Sequence, residues 1–312
     1  MTNKNGEIAI EVINLTKRFG KFTAVDKVNF QVKRGEIFGF LGPNGAGKST
    51  TIRMLCGILK PTEGTGTVAG YDITKHQEEI KKRIGYMSQR FSLYDDLTVA
   101  ENIDFYGGIY GLKNRERKSR KAYILDMAGL TGQEKRLAAE LSGGWKQRLA
   151  LGCAIIHQPK ILFLDEPTSG VDPISRRNFW DLIYRVASAG ATVLVTTHYM
   201  DEAEHCDRLG LIYRGKLIAL GTPAELKAAH HGELLEVECE PLMEGLEVLS
   251  EIPGVSDVAL FGALLHVTVL KAQTAVPKIA SALNRENIRM LRVEKITPAL
   301  EDVFVSLIES QE

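Results

Sequence analysis

The stretch Gly42–Thr50, "GPNGAGKST", decides the fold of this chain. It follows the apolar run Ile37–Leu41, which reads as a strand, and it precedes "TIRMLCGIL", which reads as a buried helix. A glycine-rich turn between strand and helix is a cradle for phosphates. Gly42 opens the turn, Pro43, Asn44 and Ala46 fill it, and Gly45 and Gly47 let backbone N–H groups face a triphosphate without side-chain obstruction. The helix N-terminus adds favourable partial charge. Lys48 should reach the outer phosphates, Ser49 a Mg²⁺ ion, and Thr50 a neighbouring phosphate oxygen.

Working outward, the next signal is "KILFLDEP", a continuous apolar run of the kind found in buried parallel strands. Asp165 at its carboxyl end is expected to order Mg²⁺ through water. Glu166, one residue on, should point to the other face and polarise an attacking water. His198 lies just past a further buried strand, "ATVLVTT", and Gln89 ends the short strand before it, "IGYMSQ". Parallel strands deliver their carboxyl ends to one edge of a sheet, where ligands bind. By that logic His198 arrives beside Lys48 and Glu166 and contacts a γ-phosphate, and the Gln89 amide binds either Mg²⁺ or the water.

Strands alternate with helices over most of the 312 residues, which implies a mostly parallel, helix-covered sheet with some antiparallel strands at its side. Residues Ile8–Ile13 and Val28–Val32 read as strands, and "LGLIYRGKLIALG" as a hairpin. From about 90 to 157 the texture becomes helical, opening on a capping box at Thr98 and Glu101, so a helical subdomain is expected there as an insertion. The first domain then runs from 1 to about 230. From 231 to 312 the order is βαββαβ followed by a final helix, which predicts a small α+β domain of ferredoxin-like type.

The bulk numbers set limits. With 39 basic and 39 acidic residues the formal net charge is zero, which argues against a nucleic-acid partner. The four cysteines are far apart and form no C-x-x-C pair, which argues against a zinc site, and three of them sit in apolar or helical settings that read as core. No apolar run is long enough to cross a bilayer, so any membrane role runs through a partner.

"LSGGWKQR", Leu141–Arg148, offers Ser142, Gly143 and Gly144 at the start of a helix with a buried side from Leu149 to Ile156. A serine hydroxyl and free N–H groups there can bind phosphate. The helical insertion carries this loop away from Lys48, so a second copy would have to bring it to a nucleotide. Taken in order, "KRFGKF", the phosphate loop, Gln89, "LSGGW", "ILFLDE", "SGVD" and His198 resemble the ATP-binding subunit of ABC transporters over about residues 7 to 230. The resemblance implies a P-loop NTPase core in which two cassettes sandwich two ATP molecules head to tail, with Mg²⁺. Phe19 would stack on adenine, Ser142, Gly143 and Gly144 would bind γ-phosphate in trans, and Asp172 would lie in a loop crossing the dimer interface. Glu166 would be the general base and His198 the γ-phosphate sensor. Trp145 departs from the family, which usually has Gln there; the phosphate-holding groups survive the change.

"ITPALEDVFVSLIES" is similar to the closing motif of cassettes that serve ABC-2-type exporters, including drug efflux systems. The implied protein is a cytoplasmic ATP hydrolase, peripheral on the inner face of the membrane, acting on a separate integral membrane permease. The dimer is homodimeric or a pseudo-dimer with a related chain. The C-terminal domain would support the dimer, regulate it, or be structural. Phe91, Tyr94, Phe105, Tyr106 and Tyr110 are candidates for the surface receiving the permease, or for ordinary helix core. A soluble ABC protein of DNA repair or translation, an importer ATPase and a non-hydrolysing nucleotide-gated module are the alternatives.

Overall fold

A computed structural model describes residues 7–90 and 92–309; Phe91 lies outside them. The chain divides into two compact units between Pro223 and Ala224. That is earlier than the boundary near 230 expected from the drop in apolar density at "KAAHHGE", because this stretch begins in a short helix rather than in open linker.

The first unit holds two sheets. The six-stranded sheet contains β3 (Ile37–Leu41), β6 (Ile84–Met87), β7 (Ile161–Asp165), β8 (Thr192–Thr197), β9 (Arg208–Tyr213) and β10 (Lys216–Gly221), in the order β10-β9-β3-β8-β7-β6. All neighbours in it are parallel except the β9–β10 hairpin. Strands β7 and β8 are buried at every residue, as unbroken apolar runs require when helices cover both faces. The second sheet is antiparallel and consists of β1 (Ile8–Phe19), β2 (Phe22–Lys33), β4 (Glu63–Val68) and β5 (Tyr71–Asp72) in the order β2-β1-β4-β5. Strands β1 and β2 are longer than their apolar segments, because the polar residues near Lys17 and Thr23 stay paired in the hairpin up to its tip. One apolar cluster joins the sheets: Val12, Leu15 and Phe30 meet Phe38, Phe40 and Phe163. Phe30 stacks on Phe38 with centroids 5.3 Å apart.

The helices of this unit are α1 (Lys48–Leu55), α2 (Gln77–Lys81), α3 (Val99–Ile109), α4 (Asn114–Met127), α5 (Gly143–Ala154), α6 (Pro173–Ser188) and α7 (Met200–Ala203); α8 (Pro223–Ala228) starts at the boundary and belongs, past Pro223, to the second unit. Helices α3, α4 and α5 occupy the stretch between β6 and β7. The capping box forms as read: Glu101 N–H donates to Thr98 Oγ1 at 3.2 Å, and Thr98 N–H donates to Glu101 Oε2 at 2.8 Å. Arg120 of α4 donates to the carbonyls of Ile155 and Ile156, both at 3.0 Å, and so satisfies the end of α5.

The second unit contains β11 (Glu233–Glu240), α9 (Leu242–Ser250), β12 (Val255–Phe261), β13 (Leu264–Val269), α10 (Ala272–Arg285), β14 (Arg289–Ile296) and α11 (Leu300–Glu309). Its sheet runs β12-β13-β11-β14, antiparallel throughout, which is the ferredoxin-like order. Leu235, Val237, Leu265 and Val267 form its core with Leu249, Ile279 and Leu283 of the helices. Asp302 of α11 lies 2.6 Å from His266 Nδ1 on β13. All four cysteines are free and buried, one more than the three read as core. No helix among the described residues is long and apolar enough to cross a membrane.

Candidate nucleotide site

Strand β3 feeds the glycine turn into α1, so the backbone of residues 42–47 wraps the helix N-terminus. Gly47 has φ +107°, and a Cβ there would lie 2.4 Å from the Ala24 carbonyl oxygen. Only glycine satisfies both conditions. The turn opens onto a cleft of about 390 Å³ lined by Phe19, Phe22, Asn44, Lys48, Thr50 and Glu166, among others.

Lys48 is 3% exposed. Its ammonium donates to the carbonyls of Gly42 at 2.7 Å and Pro43 at 3.0 Å, and lies 3.0 Å from Glu166 Oε1. Those partners saturate the three N–H donors of an ammonium. An incoming phosphate must therefore take the place of one of them. Glu166 holds the other groups: Gln89 Nε2 donates to its Oε2 at 3.1 Å, and His198 Nδ1 lies 3.3 Å from the same oxygen. The structure thus brings Lys48, Gln89, Glu166 and His198 together at the carboxyl edge of the parallel sheet.

One sequence expectation needs correction. Strand alternation would send Glu166 to the face opposite Asp165. Instead Glu166 has φ +47°, a left-handed backbone that ends β7 and breaks the alternation. Its N–H is held by Thr196 Oγ1 at 2.9 Å. Both carboxylates consequently reach the first turn of α1, Asp165 at Ser49 and Glu166 at Lys48.

Asp165 tests whether the site suits a divalent cation. Its Oδ1 accepts from Ser49 Oγ and Thr196 Oγ1, both at 2.8 Å, while its Oδ2 is buried with no hydrogen-bond partner. Burial pushes the Asp165 carboxyl up, opposed by those hydroxyls and reinforced by the neighbouring Glu166. A buried carboxylate with one oxygen unsatisfied, beside a serine hydroxyl, fits a hard cation and its waters.

Phe22 is a lining residue that sequence reading missed. It pairs with Phe19 across the two-residue turn Gly20-Lys21, and the rings are 63% and 50% exposed. Two aromatics flanking a glycine turn were the available signal. Exposed aromatic rings offer flat apolar faces on which a base can stack. Phe22→Ala is expected to raise the KM for ATP about tenfold with little change in kcat, since base stacking contributes about 1–3 kcal/mol. Steady-state hydrolysis against ATP concentration measures it.

Ser142, Gly143 and Gly144 do not line this cleft. Ser142 is the N-cap of α5, with no hydrogen bond from its side chain, and both Ser142 and Gly143 are exposed. Gly144 is buried against α6, where a Cβ would lie 2.8 Å from Ser175 Oγ. Trp145 is half-buried, with the Arg136 guanidinium 5.5 Å from its ring centroid. Asp172 caps α6 by accepting from Ser175 N–H at 2.9 Å, which holds its carboxyl below the usual range. Of the aromatics considered for docking, Tyr94 and Phe105 are exposed and meet edge to face at 4.6 Å. Tyr110 instead stacks on His157 at 3.5 Å.

This architecture defines a P-loop nucleotide-binding cassette with a helical insertion and an appended ferredoxin-like unit. Residues 25–169 match the ABC transporter family, and residues 221–308 match the C-terminal domain of DrrA1-3-like ATP-binding proteins. The linearmycin resistance ATP-binding protein LnrL of Bacillus subtilis strain 168 is 37% identical over 303 residues, covering 96% of this chain and 97% of that protein. The probable multidrug ABC transporter ATP-binding protein YbhF of Escherichia coli K12 is 56% identical over 223 residues, covering 72% of this chain; the chain spans only 39% of YbhF. Among solved structures, the dimeric ATP-binding cassette MJ0796 bound to ADP and Pi has a TM-score of 0.63 at 28% identity, covering 68% of this chain and 98% of that one. The chain belongs to the ABC transporter ATP-binding proteins.

Proposed function

We propose that this chain hydrolyses ATP in a head-to-tail dimer, on the cytoplasmic side of a membrane, to drive export through a separate permease of ABC-2 type. The observation that carries the reading is the gathering of Lys48, Gln89 and His198 around Glu166, which lines the cleft, in a chain whose Ser142 and Gly143 stay exposed outside it. Support for export comes from relatives named for multidrug transport and linearmycin resistance, and from the DrrA-like C-terminal domain. Support for a dimer comes from the dimeric cassette it resembles.

Phe19 and Phe22 hold the base. The N–H groups of the glycine turn and Lys48 hold the outer phosphates, and Thr50 is placed to bind an adjacent oxygen. Ser49 and Asp165, with Gln89 nearby, would hold Mg²⁺, which supplies charge neutralisation to the phosphates. Glu166 orients the attacking water and accepts its proton. His198 donates to the γ-phosphate. The partner copy supplies the Ser142 hydroxyl and the N–H groups of Gly143 and Gly144, and its Asp172 turn lies at the interface. Closing the dimer does work only through the difference in ATP affinity between open and closed forms.

Trp145→Gln tests whether the natural loop is competent. The phosphate-binding groups are the Ser142 hydroxyl and backbone N–H groups, none of which belongs to the Trp145 side chain. Hydrolysis should change by less than about tenfold, whereas losing a true donor to transition-state charge costs about a hundredfold or more. A gain of several orders of magnitude in the phosphate-release rate would show that the loop is crippled.

A further inference from the structure

Asp201 and Glu204 in the segment "HYMDEAEH" are exposed, yet Glu202 between them is 1% exposed. We propose that Glu202 is a positioning residue that ties the His198 loop to the Glu166 turn and to the Asp172 end of α6.

Each of its oxygens is committed. Oε1 accepts from Thr168 Oγ1, two residues past Glu166. Oε2 accepts from Thr197 Oγ1 at 2.7 Å. Thr197 Oγ1 in turn accepts from Tyr199 N–H at 3.0 Å, so the residues on either side of His198 are held by one hydroxyl that Glu202 orients. Arg176 supplies the third link. Its Nε lies 3.6 Å from Glu202 Oε1, its Nη1 3.2 Å from Asp201, and its guanidinium covers the Tyr199 ring at 4.0 Å. Arg176 lies in the first turn of α6, where its backbone N–H donates to the Asp172 carbonyl at 2.9 Å. The same frame reaches the Ser142 helix, because Gln147 Nε2 donates to the Pro167 carbonyl.

A buried carboxylate is a poor means of adding stability, since its desolvation offsets what its partners return. Burial also pushes this carboxyl up, against the two threonine donors and Arg176. What the arrangement does provide is fixed geometry. Glu202 does not line the cleft. Through Thr197 and Tyr199 it fixes the backbone on both sides of His198, whose placement matters because a shift of about 1 Å at a reacting centre can cost about a hundredfold. This role rests on His198 contacting the γ-phosphate.

The test is a double-mutant cycle on the full-length protein, read as steady-state ATP hydrolysis. Glu202→Gln keeps the side-chain volume and removes the charge. It should lower kcat about tenfold or more and leave the KM for ATP within about twofold. In a His198→Ala background the same change should alter kcat by less than about twofold. Thr197→Val, which breaks the same link, should match Glu202→Gln, and Thr197→Ser should restore near-normal kcat; this pair decides the matter if Glu202→Gln does not fold. An equal loss with and without His198 would mean general destabilisation and would overturn the proposal. So would an unchanged kcat in Glu202→Gln beside an impaired His198→Ala. If His198→Ala itself retains full kcat, the assignment of His198 fails first, and the role of Glu202 falls with it.

Discussion

Glu166→Gln should reduce ATP hydrolysis about a thousandfold, the scale of a lost general base, while ATP binding stays intact or tightens. The substituted amide has the same shape but cannot accept a proton from water. The carboxylate is 6% exposed and fixed by Lys48, Gln89 and the left-handed backbone at its own Cα, so no neighbouring acid can move into its place. Asp165 is adjacent, but its Oδ1 is taken by Ser49 and Thr196. The binding side of the effect has a definite sign. Without nucleotide the Lys48 ammonium is paired with Glu166 at 3.0 Å, and a phosphate must compete with that carboxylate. A neutral amide competes less. Single-turnover hydrolysis and nucleotide binding, measured separately, check both halves. Retention of more than about a tenth of the rate would remove Glu166 from the role of base.

Lys48→Ala should weaken ATP binding about a hundredfold and abolish measurable turnover. A charge-assisted hydrogen bond contributes about 1.5–3 kcal/mol, and Lys48 is the cation saturating this cradle. The loss does not stop at the nucleotide. Glu166 is left as a buried carboxylate without its cation, and the carbonyls of Gly42 and Pro43 lose their donor. Breaking such a pair costs about 3–5 kcal/mol in buried settings. The unliganded variant should accordingly unfold at a lower denaturant concentration than the natural chain. Equal nucleotide affinity, by isothermal titration, would contradict the placement of the phosphates.

Much of this site was legible because its chemistry is local. Gly42–Thr50 is one turn, and Asp165, Gln89 and His198 each sit where a short strand ends. Strand direction alone brings such residues to one edge. What escaped depends on contacts between distant segments or on backbone that leaves regular geometry. Phe22 joins the site only because the hairpin closes over Gly20 and Lys21. The left-handed turn at Glu166 defeats the alternation rule that served for the rest of β7. Glu202 carries no signal of its own in the sequence, because four acidic residues fall within "MDEAEHCD" and only tertiary packing buries the one that faces Thr168 and Thr197.

The trans arrangement of the Ser142 loop is the claim on which the rest depends. The most direct test is light scattering on Glu166→Gln with and without ATP and Mg²⁺, with a Glu166→Gln, Ser142→Arg double variant alongside. The mass of Glu166→Gln should double on adding ATP. The double variant should bind ATP yet keep the mass of one chain, because an arginine in place of Ser142 blocks the face that the partner's γ-phosphate needs. A Glu166→Gln protein that binds ATP and stays monomeric, or a double variant that dimerises as readily as the single one, would contradict the sandwich.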